Sequence, residues 1–450
     1  INFLRFENYY AGRFDLGNME QTVWNTLHGH VFEFTNPNGT NIVSRLAFHA
    51  DFLLIVLTPF YWLWQDPRTL LFLQVLVTGS GTFFVYKIAR HLKLAQSLAF
   101  VFALLYLLNP SLQRSVIYDF HAVTLATTFL LAAFYAVLKK RFWLFVLFAV
   151  LAGITKEQIW AIIALMGGYI VIIQRKYLIG ALTIILSSLI FYLLIWVVIP
   201  QASGTQHFAL SYYSSGEITD SPTSLLRLFL TSPDKTFGLV TDPARLDYLN
   251  ALFMPLGYLP ILAPLILIFT SPDLAINLLS SKEQLYQIYY QYTAAITPFL
   301  FIAALYGVKW LLTQFKIVTV SSLTIYLVAL GLVGSFLYGP LPGAKSPNLD
   351  MITKPMPQKI VIDKLLSAIP TKYSVSTCNS LGSHVARRAY IYTMPYGWEN
   401  ADYIIFMLNE TNAYPSLDAH KKQAKILSSN PAYVKYYDDG IIIAFKKLTL

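Results

Sequence analysis

Long apolar stretches recur along most of this chain, and clusters of basic residues mark a set of the short loops between them. A helix that crosses a bilayer needs about 20 mostly apolar residues. Stretches of that character cover residues 69–90, 94–109, 119–138, 142–154, 157–174, 177–200, 293–312 and 317–338. A further apolar region, 249–280, is interrupted by Pro255, Pro260 and Pro264. Only 12% of the 450 residues are charged and 56% are hydrophobic, whereas a soluble domain carries about 25% charged residues. The chain is therefore expected to be a mainly α, polytopic helical membrane protein.

Charge sets the threading. Basic residues cluster in Lys87–Lys93, Lys139-Lys140-Arg141, Arg175-Lys176 and Lys309–Lys316. The positive-inside bias places those four loops in the cytoplasm. By alternation, residues 1–68, 110–119, 155–157, 201–248, 281–292 and everything after 339 lie outside. Because Lys and Arg recur in short loops between apolar runs, these clusters read as orientation, and the net charge of +10 raises no expectation of a nucleic-acid partner. The apolar run 46–64 contains His49, Asp51 and Pro59 and ends in Tyr61, Trp62 and Trp64. It fits an interfacial helix with aromatics at headgroup level better than a span. Region 249–280 must leave from and return to the outside, which predicts a broken or re-entrant hairpin covered by protein. The opening stretch INFLRFENYYAGRFDLG lacks the shape of a signal peptide. It reads as the far end of something already spanning the membrane, so an upstream helix is expected.

After Tyr338 the character changes. GPLPGAKSPN is a linker by its Gly and Pro content. Beyond it, YSVSTC, YIYTM, DYIIFML and GIIIAFK read as strands and stretches near 358–368 and 416–427 as helices. Three parts result: an outer loop with juxtamembrane helices (1–68), a transmembrane helical domain (69–338) and a small extracytoplasmic α/β domain (339–450). The single cysteine, Cys378, excludes an internal disulfide framework. Sequons at Asn38-Gly39-Thr40 and Asn409-Glu410-Thr411 have meaning only in a glycosylating host.

Four short polar motifs fall on the outer side of this threading: Asp15 in RFDLGNMEQTVW, His49 and Asp51 in FHADF, Asp119 and His121 in YDFH, and Lys156 and Glu157 in TKEQ. Ionisable groups beside lipid are costly, so their gathering at one interface points to a site. Each has a plainer reading. Asp15 could favour a first helical turn through the dipole, and Asp119 could cap a helix with His121 solvated. His49 and Asp51 could face headgroups, and Lys156 and Glu157 could pair with each other. Functionally, a carboxylate with a nearby imidazole can hold a phosphate or share a proton, and Lys156 suits an anionic phosphate. Tyr289 and Tyr290, in SKEQLYQIYYQY, read as an interfacial belt or as a platform for sugar rings. The spacings His49-x-Asp51 and Asp119-x-His121 match no strong metal motif, so no zinc and no metal-ligand set is expected from these residues.

The order of these features resembles the GT-C superfamily of polytopic glycosyltransferases. FDLGNMEQTVWNTLHG, FHADFLLIVLTPFYWL, YDFHAVTLATTFLLAAFY and TKEQ resemble still more closely an uncharacterised prokaryotic family of predicted membrane proteins with a domain of unknown function. The resemblance covers residues 10–340 and implies transfer of a sugar from a polyprenyl-phosphate carrier to a glycan, lipid or protein acceptor on the outer face. It makes Asp15 the base on the acceptor hydroxyl and Asp119 part of the second acidic motif. Lys156, Arg13, Arg45 or His121 could then supply the cation near the phosphate, and a single displacement would invert the anomeric centre. The second motif is Asp-Phe-His rather than a paired-acid Asp-x-Asp, so no cofactor is required by the residues; a divalent cation is compatible with the resemblance. A transporter and a non-catalytic, lipid-binding scaffold are the rival readings, although transport sites tend to lie at mid-membrane within inverted repeats.

Overall fold

The computed structural model describes residues 1–207, 231, 233–410 and 413–448; part of the expected outer segment 201–248, and Thr411 of the second sequon, lie outside them. Two compact units emerge. One comprises 46–53 and 73–349, the other 1–45, 54–72 and 350–450.

The larger unit is a helical bundle. Among the described residues, four helices are long and apolar enough to cross a membrane: Pro67–His91, Gln96–Ile117, Tyr177–Ser203 and Val320–Tyr338. Shorter apolar helices run over Ala122–Leu138, Phe142–Gly153 and Ile159–Ile172. Ala122–Leu138 is buried along almost its whole length, and Thr297–Gln314 is buried as far as Val308; both contribute to the bundle's core. Tyr177–Leu193 instead exposes Leu178, Leu182, Ile185, Leu186 and Leu189, an apolar surface that lipid can cover. The basic loops are also the helix stops. Lys93, Lys140 and Arg175 each adopt a positive φ, between 54° and 65°. The next amides turn back to close the helices, Leu94 to Ala89 and Arg141 to Ala136, the left-handed termination that satisfies the last carbonyls. Cations there also complement the negative end of the helix dipole.

Region 249–280 is broken where its prolines demand. Helix Pro243–Phe253 gives way to 3₁₀ turns at Met254–Leu256 and Leu259–Leu262, a four-residue helix at Pro264–Leu267, and helix Ser271–Leu279. Pro255, Pro260 and Pro264 all stand at the first turns of these pieces, where an absent N–H needs no partner. The loose backbone is covered by the bundle: Tyr326 donates its hydroxyl to Gly257 O at 3.1 Å.

Among its described residues the smaller unit contains seven strands. β1 (Glu33–Thr35) pairs antiparallel with β2 (Ile42–Ser44). The others are β3 (Val375–Thr377), β4 (Ile391–Thr393), β5 (Tyr403–Met407), β6 (Tyr433–Asp438) and β7 (Ile442–Lys447). They form one sheet in the order β4-β3-β5-β7-β6. β3 runs parallel to both β4 and β5, while β7 is antiparallel to β5 and β6. β5 is buried at every position, as a strand covered on both faces must be. Tyr403, Ile405 and Met407 pack with Ile362 and Leu366 of helix Lys359–Ser367. Ile404 and Phe406 pack with Ala424 and Leu427 of helix Leu417–Ser428. That alternation is the strand's two-residue period read out in three dimensions.

Candidate functional site

In the bundle unit, three of the four polar motifs acquire partners. Glu157 lies in the turn between helices Phe142–Gly153 and Ile159–Ile172. The segment bearing His49 is pinned to that turn by Leu53 N donating to Ile154 O at 2.9 Å. His49 Nδ1 stands 2.8 Å from Glu157 Oε1, and Ala50 N donates to Oε2 at 3.0 Å. His207 Nε2 approaches the same Oε1 at 3.2 Å. Glu157 and His207 are buried, at 2% and 5% exposure. Burial by itself pushes the Glu157 carboxyl up; the charge of His49, hydrogen bonds from both imidazoles and the nearby Lys156 outweigh it and hold the group well below the usual carboxylate range.

One ligand atom from each of His49, Glu157 and His207 lies within 4.8 Å of the others. Two imidazoles and one carboxylate are a donor set that suits a divalent transition ion, with coordination positions left for substrate. Lys156 Nζ lies 6.0 Å over the Tyr292 ring. Neighbouring Gln158 reaches Asp273 Oδ1 at 3.4 Å. Asp273 is buried, and its Oδ2 has no hydrogen-bond partner among the described residues. Asp51 is buried as well.

The YDFH motif is clamped by an amide from a neighbouring helix. Gln74 Nε2 donates to Asp119 O at 2.9 Å, and His121 N donates to Gln74 Oε1 at 2.8 Å. Tyr118 stacks on His121 at 5.7 Å and meets the edges of Tyr289 and Tyr290 at 5.9 and 4.9 Å. The structure thus gathers His121, Tyr289 and Tyr290 into one aromatic cluster, with Asp119 buried at its base. Gln74 and His207 escaped the sequence reading. A glutamine in the middle of the apolar run Leu70–Val77 was a usable signal for the first. His207, in a polar segment, carried none.

In the smaller unit, Asp15 sits half-buried in the turn Arg13–Gly17, which leads into helix Asn18–Leu27. Arg13 is fully buried beneath it, donating to Asn18, to Gln21 Oε1 at 2.7 Å and to Thr35 O at 3.2 Å. Burial first, and Arg45 second, pull its guanidinium down to about 9. Arg45 is buried with its guanidinium 5.4 Å over the Phe34 ring. Glu20, on the same helix, accepts from Tyr61 Oη at 2.7 Å and lies 3.9 Å from Arg387.

A family model described as "Predicted membrane protein (DUF2079)" matches residues 5–438. The chain belongs to that family. No curated protein matches it. Among solved structures, this DUF2079 chain is similar to ArnT from Cupriavidus metallidurans bound to undecaprenyl phosphate, with a TM-score of 0.54 at 11% identity, covering 96% of this chain and 93% of that one. It is also similar to the Archaeoglobus fulgidus oligosaccharyltransferase in the apo form, with a TM-score of 0.43 at 13% identity. That likeness covers 88% of this chain and 66% of the oligosaccharyltransferase, so the DUF2079 chain spans just under two thirds of its length. A third similar structure is the same organism's AglB in complex with an inhibitory peptide and a dolichol-phosphate, at 0.42 and 12%, covering 87% of this chain and 65% of that one. The DUF2079 chain therefore has a GT-C-like membrane fold with a small C-terminal sheet domain.

Proposed function

We propose that this protein transfers a sugar from a polyprenyl-phosphate carrier to an acceptor hydroxyl on the extracytoplasmic side of a prokaryotic membrane. The observation that carries the reading is the His49–Glu157–His207 cluster, with Glu157 and His207 buried, His49 half-buried and Lys156 next in sequence. Imidazoles and an ammonium group oriented by a buried carboxylate are what a membrane-surface phosphate needs for recognition and for charge stabilisation as it departs. The GT-C-like fold supports the same class of chemistry.

In the step proposed, Asp15 accepts the proton of the acceptor hydroxyl as its oxygen attacks the anomeric carbon. The bond from that carbon to the phosphate oxygen breaks, and the polyprenyl phosphate leaves with the electron pair, so the anomeric centre inverts. Asp119, His121 and the neighbouring Tyr289 and Tyr290 are assigned to holding the sugar, through hydrogen bonds and stacking on its ring. A divalent cation, where one is bound, would be held by His49, Glu157 and His207 and would neutralise phosphate charge.

Carrier recognition is testable without turnover. Native mass spectrometry of the full chain with added undecaprenyl phosphate should give a one-to-one complex. Lys156→Ala and Glu157→Gln should weaken it by about tenfold or more, the usual cost of one charge-assisted contact. A complex of equal strength in both variants would remove the cluster from the donor site.

A further inference from the structure

A cavity of about 790 Å³ opens in the α/β unit, lined by residues that have no part in the transfer step above. It lies at the carboxyl ends of the three parallel strands. Cys378 and Asn379 follow β3, Thr393 and Met394 end β4, and Asn409 and Glu410 follow β5. The chain leaves β3 on one side to make β4 and returns on the other to make β5. Divergence of that kind opens the crevice in which open α/β sheets bind ligands.

The lining specifies a chemistry. Tyr9, Tyr10, Tyr396 and Tyr414 contribute aromatic rings to the wall, and Asn38, Asn379 and Asn409 contribute amides. Two further polar atoms are buried in the wall with no hydrogen-bond partner among the described residues, Thr393 Oγ1 and His420 Nδ1. His420 is 1% exposed, and its Nε2 lies 2.8 Å from Tyr414 O, so that nitrogen carries the proton and Nδ1 is left as an acceptor. Unpaired buried polar atoms are costly and call for a ligand that pairs them. Among the described residues no Lys or Arg lines the cavity, and Glu410 is its one acidic group. An anionic ligand would meet a carboxylate and no counter-charge. Burial and the charge of Glu410 push the Cys378 thiol up to about 12, so it is a neutral wall group rather than a nucleophile.

We propose that this cavity binds a sugar bearing no anionic group, with tyrosine rings against its C–H faces and the amides, Thr393, His420 and Glu410 on its hydroxyls. Its size suits roughly one or two sugar residues. The assignment concerns this unit alone and stands or falls separately from the transfer reading.

Saturation-transfer NMR on the full chain in a detergent without sugar headgroups tests it, with glucose, mannose, N-acetylglucosamine and lactose as neutral probes and glucuronate as the anionic one. At least one neutral sugar should receive saturation on its ring protons, and glucuronate should not. In Tyr396→Ala and Glu410→Gln the binding should weaken about fivefold or more, as expected for losing a stacking ring or a charged acceptor. Thermal unfolding identifies any variant that fails to fold; Ser380→Trp, which fills the cavity from its wall, is the second variant and should abolish the signal. Silence from all four neutral sugars, equal transfer to glucuronate, or undiminished transfer in the folded variants would overturn the proposal.

Discussion

Two buried glutamates illustrate how surroundings decide ionisation in this protein. Glu157 is buried but ringed by two imidazoles and a lysine, and it stays a carboxylate. Glu20 is equally buried; burial pushes it up to about 8, and the opposing pull of Arg387 and of the Tyr61 hydrogen bond does not offset that. The signs of their pH effects follow. Glu20 favours the protonated form in the fold, so its contribution to stability is complete below the unfolded value of about 4.3. It is lost as pH rises through 8. Thermal unfolding of the full chain should therefore show stability declining between pH 5 and pH 9, and Glu20→Gln should flatten that slope. An unchanged slope would mean that Glu20 is ionised in the fold. Glu157 behaves oppositely, contributing above the ordinary carboxylate range and losing its contribution only on strong acidification. At this scale the sequence was partly readable. His49, Lys156 and Glu157 stood out as ionisable groups beside apolar runs, but the meeting of His49 with Glu157 spans 108 positions. No local pattern encodes such a meeting.

Among the elements, close helix contacts are written in glycine. Helices Ile159–Ile172 and Tyr177–Leu193 meet where a Cβ on Gly180 would lie 2.7 Å from Gly167 O and 2.5 Å from a Val171 methyl. Small residues let membrane helices approach backbone to backbone. Gly180→Leu should therefore destabilise the folded protein by about 1–3 kcal/mol through overpacking. Gly168→Ala, whose added Cβ meets nothing within 4 Å, should stay within about 0.5 kcal/mol of wild type. Detergent-phase thermal unfolding of both variants decides it, and equal melting would refute the contact. The apolar helices were legible because an apolar run of that length leaves few other folds, and the break after Phe253 because Pro255, Pro260 and Pro264 cannot continue a helix. Strand β6 was not legible. Its sequence, Tyr433-Val-Lys-Tyr-Tyr-Asp438, is mostly exposed at the sheet edge and carries little apolar alternation.

For the whole molecule, the chain's first 45 residues join its last 101 in one compact unit, although the bundle lies between them in sequence. The Asp15 motif accordingly sits beside the α/β sheet: Phe14 N donates to Asn379 Oδ1 at 3.0 Å, just after β3. A linear reading divides the chain at composition changes and has no means of reuniting its ends. The apolar runs and the order of motifs nevertheless carried the fold class, because few charges are tolerated in lipid. The central claim is transfer from a lipid-linked sugar. Its most direct test incubates the full chain in proteoliposomes with radiolabelled polyprenyl-phosphate sugars and a cell-envelope acceptor extract, beside Asp15→Asn. Release of polyprenyl phosphate with label entering the acceptor, slowed by about 10²–10⁴-fold in the variant as expected for loss of a general base, is the predicted result. Turnover unaffected by Asp15→Asn, or none from any donor in protein that binds undecaprenyl phosphate, would contradict it.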